Sequence, residues 1–262
     1  MPNAAPLLPY LVFDFDSTFT QVEGLDELAD IALQGHPDQA AVVAQIRALT
    51  DQGMAGEIGF QESLAKRLAL LGANERHLAP LIARLQTKVS ESIRRNKDFF
   101  RQFADRIYVV SSGFREFIEP VVAEFGILPS HVLANTFTFD AAGDITGCDP
   151  ANVLSRDGGK IRQLVLLDLD GPVYVLGDGY TDYQIREAGL AHRFYAYTEN
   201  VSRPNVVAHA DEVLPTFDEF LYQLGLPMTL SYPKTASKSC CWRIRTPAPP
   251  SFSALKATRW RK

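Results

Sequence analysis

The sequence predicts an α/β protein, a doubly wound parallel sheet carrying an inserted α-helical cap. Three observations predict it. First, three short apolar runs each break at once into polar or glycine-rich residues. They are Leu7–Phe15, ending in Asp14-Phe15-Asp16-Ser17-Thr18, Ile107–Val110, ending in Ser111-Ser112-Gly113, and Val173–Leu176, ending in Gly177-Asp178-Gly179. Unbroken Val/Ile/Leu/Phe character marks strands buried on both faces, as in a parallel sheet covered by helices. Second, helical patterns follow these runs, at Phe114–Phe125, Gly159–Leu167 and Thr181–Ala188. Strands alternating with helices wind a sheet on both sides. Third, Glu23 to Asn96 reads as helix throughout and is too long for a simple crossover.

That helical stretch shows three apolar faces. Leu25, Leu28, Ala29 and Ile31 make one, Phe60, Leu64, Leu68 and Leu71 a second, and Leu78, Leu81, Ile82 and Leu85 a third. The expected organisation is a core of residues 7–22 and 97–228 and a helical cap of residues 23–96 over the strand ends. A hairpin is expected at Asn135–Thr146, where Thr136-Phe137-Thr138-Phe139 alternates and Ala142-Gly143-Asp144 turns.

Composition bounds the function. The 262 residues are 46% hydrophobic and 22% charged, ordinary values for a globular chain. No apolar run approaches the ~18 residues that suggest a membrane span, and Met1–Phe13 lacks a basic leader, so it reads as a strand and not a signal peptide. Cys148, Cys240 and Cys241 have neither disulfide-framework nor metal spacing, which points to a reducing cytoplasm. The five histidines likewise lack ligand spacing. Residues 231–262 hold eight of the 26 Lys/Arg and none of the 31 Asp/Glu, leaving a strongly acidic body. An acidic body argues against nucleic acid as a partner.

The basic tail, residues 229–262, has no amphipathic period and reads as disordered. A one-base shift of frame over Lys234–Ile244 permits the apolar run K-N-R-I-K-V-L-L-L-E-N, similar to the first strand of a hydroxyacid dehydrogenase. The tail is therefore also compatible with a frameshift product.

In a doubly wound sheet ligands bind at the carboxyl ends of the strands, so the three polar clusters can converge. Asp14 and Asp16, one residue apart on a buried strand, are expected to share a face and to repel unless a cation lies between them. Oxygen donors favour Mg²⁺. Alone, such a pair is as often a turn cap. Asp178 and Asp182 add two more carboxylates at a second strand end, and four together point to a metal. Ser111, Ser112 and Gly113 offer hydroxyl and amide donors before a helix, where an anion is favoured. Lys160 can reach the same anion. A serine N-cap and a solvated lysine are the plainer readings of each alone.

Taken in order, Asp14-Phe15-Asp16-Ser17-Thr18, Ser111-Ser112-Gly113-Phe114, Lys160 and Gly177-Asp178-Gly179-Tyr180-Thr181-Asp182 resemble the four motifs of the haloacid-dehalogenase-like phosphatases. Glu23, with Met54, Gly56 and the run Phe60-Gln61-Glu62-Ser63-Leu64-Ala65-Lys66-Arg67, resembles the cap of the phosphoserine phosphatase family. The resemblance covers roughly Leu11 to Leu224; Thr181 stands where many members carry Asn. It implies a Rossmann-like core and hydrolysis of a small phosphomonoester. Asp14 is the implied nucleophile and Asp16 the implied general acid and base. Mg²⁺ is implied on the Asp14 and Asp178 carboxylates and the Asp16 carbonyl, with Asp182 in the outer shell. Ser111, Ser112, Lys160 and Thr181 are implied to bind the phosphate side of the substrate, Arg67 its carboxylate and Glu23 its ammonium. Other small phosphates, such as phosphohomoserine, and a non-catalytic phosphate-binding scaffold are the alternatives.

Overall fold

The computed structural model describes residues 8–226; the expectations for residues 229–262 lie outside them. The chain enters through β1 (Tyr10–Phe13) and turns at Phe15–Phe19. It then runs through α1 (Gly24–Ala32), α2 (Gln39–Ala55), α3 (Phe60–Leu71), α4 (Leu78–Thr87), α5 (Glu91–Arg95) and α6 (Lys97–Gln102). It returns to the sheet as β2 (Ile107–Phe114), α7 (Arg115–Ala123) and β3 (Val132–Asn135). A hairpin of β4 (Phe137–Phe139) and β5 (Ile145–Cys148) follows. Next come α8 (Gly159–Leu167), β6 (Val173–Gly177), α9 (Tyr180–Glu187) and β7 (Arg193–Tyr197). The last elements are α10 (Pro204–Val207), β8 (Glu212–Leu214) and α11 (Phe217–Gln223).

Six strands form one sheet in the order β3-β2-β1-β6-β7-β8, all pairs parallel. Alternation along each strand sends side chains to two cores. Leu11, Phe13 and Val109 join Phe117, Ile118, Val121, Phe217 and Phe220 on one face. Val12, Val110 and Val175 join Leu164, Ile185 and Val206 on the other. Helices therefore cover both faces, as the unbroken apolar runs require. The chain leaves β1 towards β2 and β3, then comes back to β6 on the other side of β1. This reversal places the crevice at the carboxyl end of β1, where a doubly wound sheet takes its ligand.

Within the helical stretch, Leu25, Leu28, Ala29, Leu64, Leu71, Leu81 and Leu85 are buried as the apolar faces demand. Helix α2 carries no comparable stripe. Its inner face is Val43, Ile46, Thr50 and Gly53, two of the four being small or polar. The hairpin strands pair antiparallel, and the hairpin is tied to the connection between α3 and α4 by Ile145 N–H to Ala73 O and Glu75 N–H to Gly143 O, 2.9 and 2.8 Å. No helix among the described residues is long and apolar enough to cross a membrane.

Candidate active site

Asp14 and Asp16 do not sit on a strand. The strand stops at Phe13, and Phe15–Phe19 close a wide turn in which Thr20 N–H bonds Phe15 O at 2.9 Å. Ser17 takes a left-handed conformation, φ 54°, inside it. Two buried phenylalanines hold this turn: Phe19 meets Phe100 and Phe125 at ring-centroid distances of 5.5 and 5.0 Å, and Phe15 meets Phe117 at 6.1 Å. From the sheet side Asn200 Nδ2 donates to Ser17 O at 3.0 Å and Thr20 O at 3.2 Å.

The turn corrects one expectation. The two carboxylates were expected to share a face and a cation, but their side chains diverge. Asp14 accepts from Phe15 N–H through Oδ1 and pairs with Lys160 through Oδ2, at 2.7 and 2.8 Å. Asp16 instead accepts from Gly24 N–H at 2.7 Å, the first residue of α1. It lies so close to Gly113 that a β-carbon there would stand 2.8 Å from its Oδ2, which is why glycine ends the Ser-Ser-Gly cluster. That cluster does precede a helix near Phe114: β2 runs on through Phe114 and α7 begins at Arg115.

The carboxylates that gather are Asp14, Asp178 and Asp182, all buried, with ligand oxygens within 4.8 Å of one another. Lys160, 3% exposed, bridges Asp14 Oδ2 and Asp182 Oδ1 at 2.8 Å each. Burial opposes its charge, but Asp14 and Asp182 outweigh that and hold it protonated beyond the ordinary lysine range. Thr18 Oγ1 donates to Asp178 Oδ1 at 2.8 Å, and Arg203 pairs with Asp178 Oδ2. Asp182 also accepts from Gly179 N–H at 3.1 Å, and burial with the nearby Asp14 pushes its carboxyl up to about 7. A raised carboxylate among buried carboxylates wants a cation. Three oxygen donors of this kind suit a hard divalent ion, so the residues fit the metal that the sequence resemblance implies.

Beside them, with Asp14 in its wall, lies a cavity of about 30 Å³, room for a water or two. Its lining brings together Asp14, Asp16, Ser111, Ser112, Lys160 and Thr181 from the sheet side with Glu23 and Arg67 from the helical side. Leu25, Met54 and Phe60 complete the helical wall. Every expected site residue is thus in the wall or in the carboxylate cluster behind it. Ser111 Oγ accepts from Gly113 N–H at 2.9 Å, leaving its proton free for a further acceptor. Burial, then Glu23 and Asp14, push the Asp16 carboxyl well above the usual range. Burial likewise raises Glu23, whose Oε1 accepts from Ser17 Oγ at 2.6 Å and lies 3.9 Å from Arg203 Nη2.

Sequence reasoning missed Thr18, Asn200 and Arg203 as site residues. Thr18 stood inside a motif without a role attached. Asn200 and Arg203 belong to the connection after β7, where neither spacing nor an apolar pattern singles them out.

Residues 11–187 match the family model for haloacid dehalogenase-like hydrolases. The chain therefore belongs to the haloacid dehalogenase-like hydrolases. It is 32% identical over 219 residues to a chloroplastic phosphoserine phosphatase of Arabidopsis thaliana, covering 81% of this chain and 70% of that one. It is 29% identical over 215 residues to the Homo sapiens phosphoserine phosphatase, covering 81% and 91%. A phosphoserine phosphohydrolase-like protein from Francisella tularensis superposes with a TM-score of 0.74 at 28% identity, covering 82% of this chain and 99% of that one. Within its superfamily the chain is a member of the phosphoserine phosphatase family.

Proposed function

We propose that this chain is a Mg²⁺-dependent phosphatase that hydrolyses O-phospho-L-serine, with residues 23–96 acting as a cap over the reacting atoms. The observation that carries this reading is the two-sided cavity. One wall holds the nucleophile-type carboxylate Asp14 beside Lys160 and Ser111, and the other holds Arg67 and Glu23. A phosphate on the first wall leaves a carboxylate and an ammonium facing the second, which is the charge pattern of a phosphorylated amino acid.

In this reading Asp14 attacks phosphorus and forms an acyl phosphate. Asp16, whose carboxyl burial and Glu23 push upward, starts protonated in this reading and gives that proton to the leaving serine oxygen. It then takes a proton from the water that hydrolyses the acyl phosphate. Lys160 and the Ser111 and Ser112 donors hold the phosphoryl oxygens as charge moves between them. Thr181 borders that end of the cavity. Asp14 and Asp178, with the Asp16 carbonyl, would hold Mg²⁺, with Asp182 behind them and Thr18 fixing Asp178. When bound, the ion offsets the charge of Asp14 and the phosphoryl group, which otherwise repel each other. Phosphate release from a panel of small phosphomonoesters, with Mg²⁺ and with chelator, tests the proposal. Phosphoserine should lead the panel and require the ion. Preference for phosphohomoserine or an alkyl phosphate would overturn the substrate assignment, and no release at all the enzymatic reading.

A further inference from the structure

Arg67 enters the cavity wall from α3, yet what steadies it lies on other helices. Its side chain is 8% exposed. Nη1 donates to Thr50 Oγ1 on α2 at 3.3 Å, and the Thr50 hydroxyl donates to Asp26 Oδ1 on α1 at 2.9 Å. Asp26 and Thr50 are themselves buried. Among the described residues Arg67 Nε has no partner. We propose that Thr50 and Asp26 are positioning residues that hold the Arg67 guanidinium by one edge. Its free donors then face the substrate carboxylate, and the relay sets the preference for phosphomonoesters that bear one. This rests on the reading of Arg67 given above.

The chemistry of the relay is directional. A hydroxyl has one proton and two lone pairs. Given to Asp26, that proton leaves lone pairs for Arg67. The competing acceptor, Ile46 O, lies further off at 3.2 Å. A guanidinium held at one edge loses less freedom when a carboxylate docks at another, so the relay strengthens binding without touching the ligand. It also joins three successive helices, α1, α2 and α3.

Thr50→Val removes the hydroxyl and keeps the shape. Steady-state kinetics on phosphoserine and on phosphoethanolamine, which lacks the carboxylate, read the result. KM for phosphoserine should rise about tenfold, the effect of losing a hydrogen bond to a charged group, while kcat stays within about twofold. Phosphoethanolamine should change by less than about twofold in either constant. Thr50→Ser should restore KM, and Asp26→Asn, a weaker acceptor, should give a smaller rise on phosphoserine alone. Equal losses on both substrates, or no rescue by serine, would show a merely structural role and overturn the proposal. If Thr50→Val does not fold, the selectivity of Asp26→Asn decides. Arg67→Ala measured alongside separates the two layers. If it fails to discriminate the substrates, the carboxylate reading falls and the relay with it. If it discriminates and Thr50→Val does not, the relay alone falls.

Discussion

At the scale of single residues the site is a set of buried charges with opposite needs. The proposed mechanism asks Asp14 to attack and Asp16 to donate a proton, and the turn at Phe15–Phe19 separates them by pairing Asp14 with Lys160 and setting Asp16 beside Glu23. Asp14→Asn keeps the shape but removes the nucleophile. Phosphate release should fall below detection while the circular-dichroism spectrum and melting transition remain those of a folded protein; residual wild-type turnover would reject the acyl-phosphate route. Asp26 titrates behind the wall, under Thr50. Burial, then Glu23, raise its carboxyl to about 7 from an ordinary 3.8. The folded state therefore keeps a proton that the unfolded chain has already released. The resulting stability is complete below about pH 4, drains away as pH rises, and is gone above about pH 7. Asp26→Asn should flatten that decline, by at most about 1.4 kcal/mol per pH unit. It should melt higher than wild type at pH 8 by roughly 1–3 kcal/mol of stability. Urea denaturation across pH 4–8 measures the slope, and parallel curves for the two proteins would exclude Asp26 as its source.

At the scale of elements, the strand ends do the positioning. Strand β6 ends at Gly177, and α9 returns so tightly that a β-carbon at Gly177 would stand 2.3 Å from the Asp182 carboxyl. Gly177→Ala should displace Asp182 from Lys160 and the other carboxylates. Divalent-ion affinity, followed by calorimetric titration, should drop at least about tenfold, in line with the loss of an outer-shell partner. Unchanged affinity would mean that the carboxylate moves aside freely. The same scale shows what the sequence made legible. Strands β1, β2 and β6 announced themselves because both faces are buried and the apolar run is continuous, and their polar ends marked the site. Strands β3, β7 and β8 escaped: β7 reads Arg-Phe-Tyr-Ala-Tyr, and β8 is a three-residue edge with one buried residue. Helix α2 fell inside the helical reading of Glu23 to Asn96 but showed no apolar face of its own, because Thr50 and Gly53 replace large apolar residues on its inner face. The divergence of Asp14 and Asp16 was hidden for a different reason. It depends on where the strand stops, and the apolar run continues into Phe15, which serves the turn and not the strand.

At the scale of the whole molecule, the cavity lies between a sheet-side wall and a helical wall, and substrate has to pass between them. In the proposed reading the helical wall is the one that yields, where Met54 lies in the last turn of α2 and Phe60 begins α3. Between them Gly56 takes a left-handed φ of 77°, and a hydrogen bond ties α3's first turn to the core. There Asp157 Oδ1, ahead of α8, accepts from Gln61 N–H at 3.0 Å. An acidic side chain at a helix N-terminus is favourable by about 0.3–1 kcal/mol, enough to bias closure and weak enough to release. Replacing this clasp with a covalent one tests whether release is required. A β-carbon at Gly59 would lie 3.7 Å from the Asp157 carboxyl carbon, so Gly59→Cys with Asp157→Cys brings two thiols into bonding range. Under oxidising conditions the double variant should lose at least about a hundredfold in phosphate release, because substrate entry and product exit both need the wall to lift. Reductant should restore turnover, and each single variant should remain active under both conditions. Full activity of the oxidised, cross-linked protein would place the entrance elsewhere and leave this connection a fixed part of the wall.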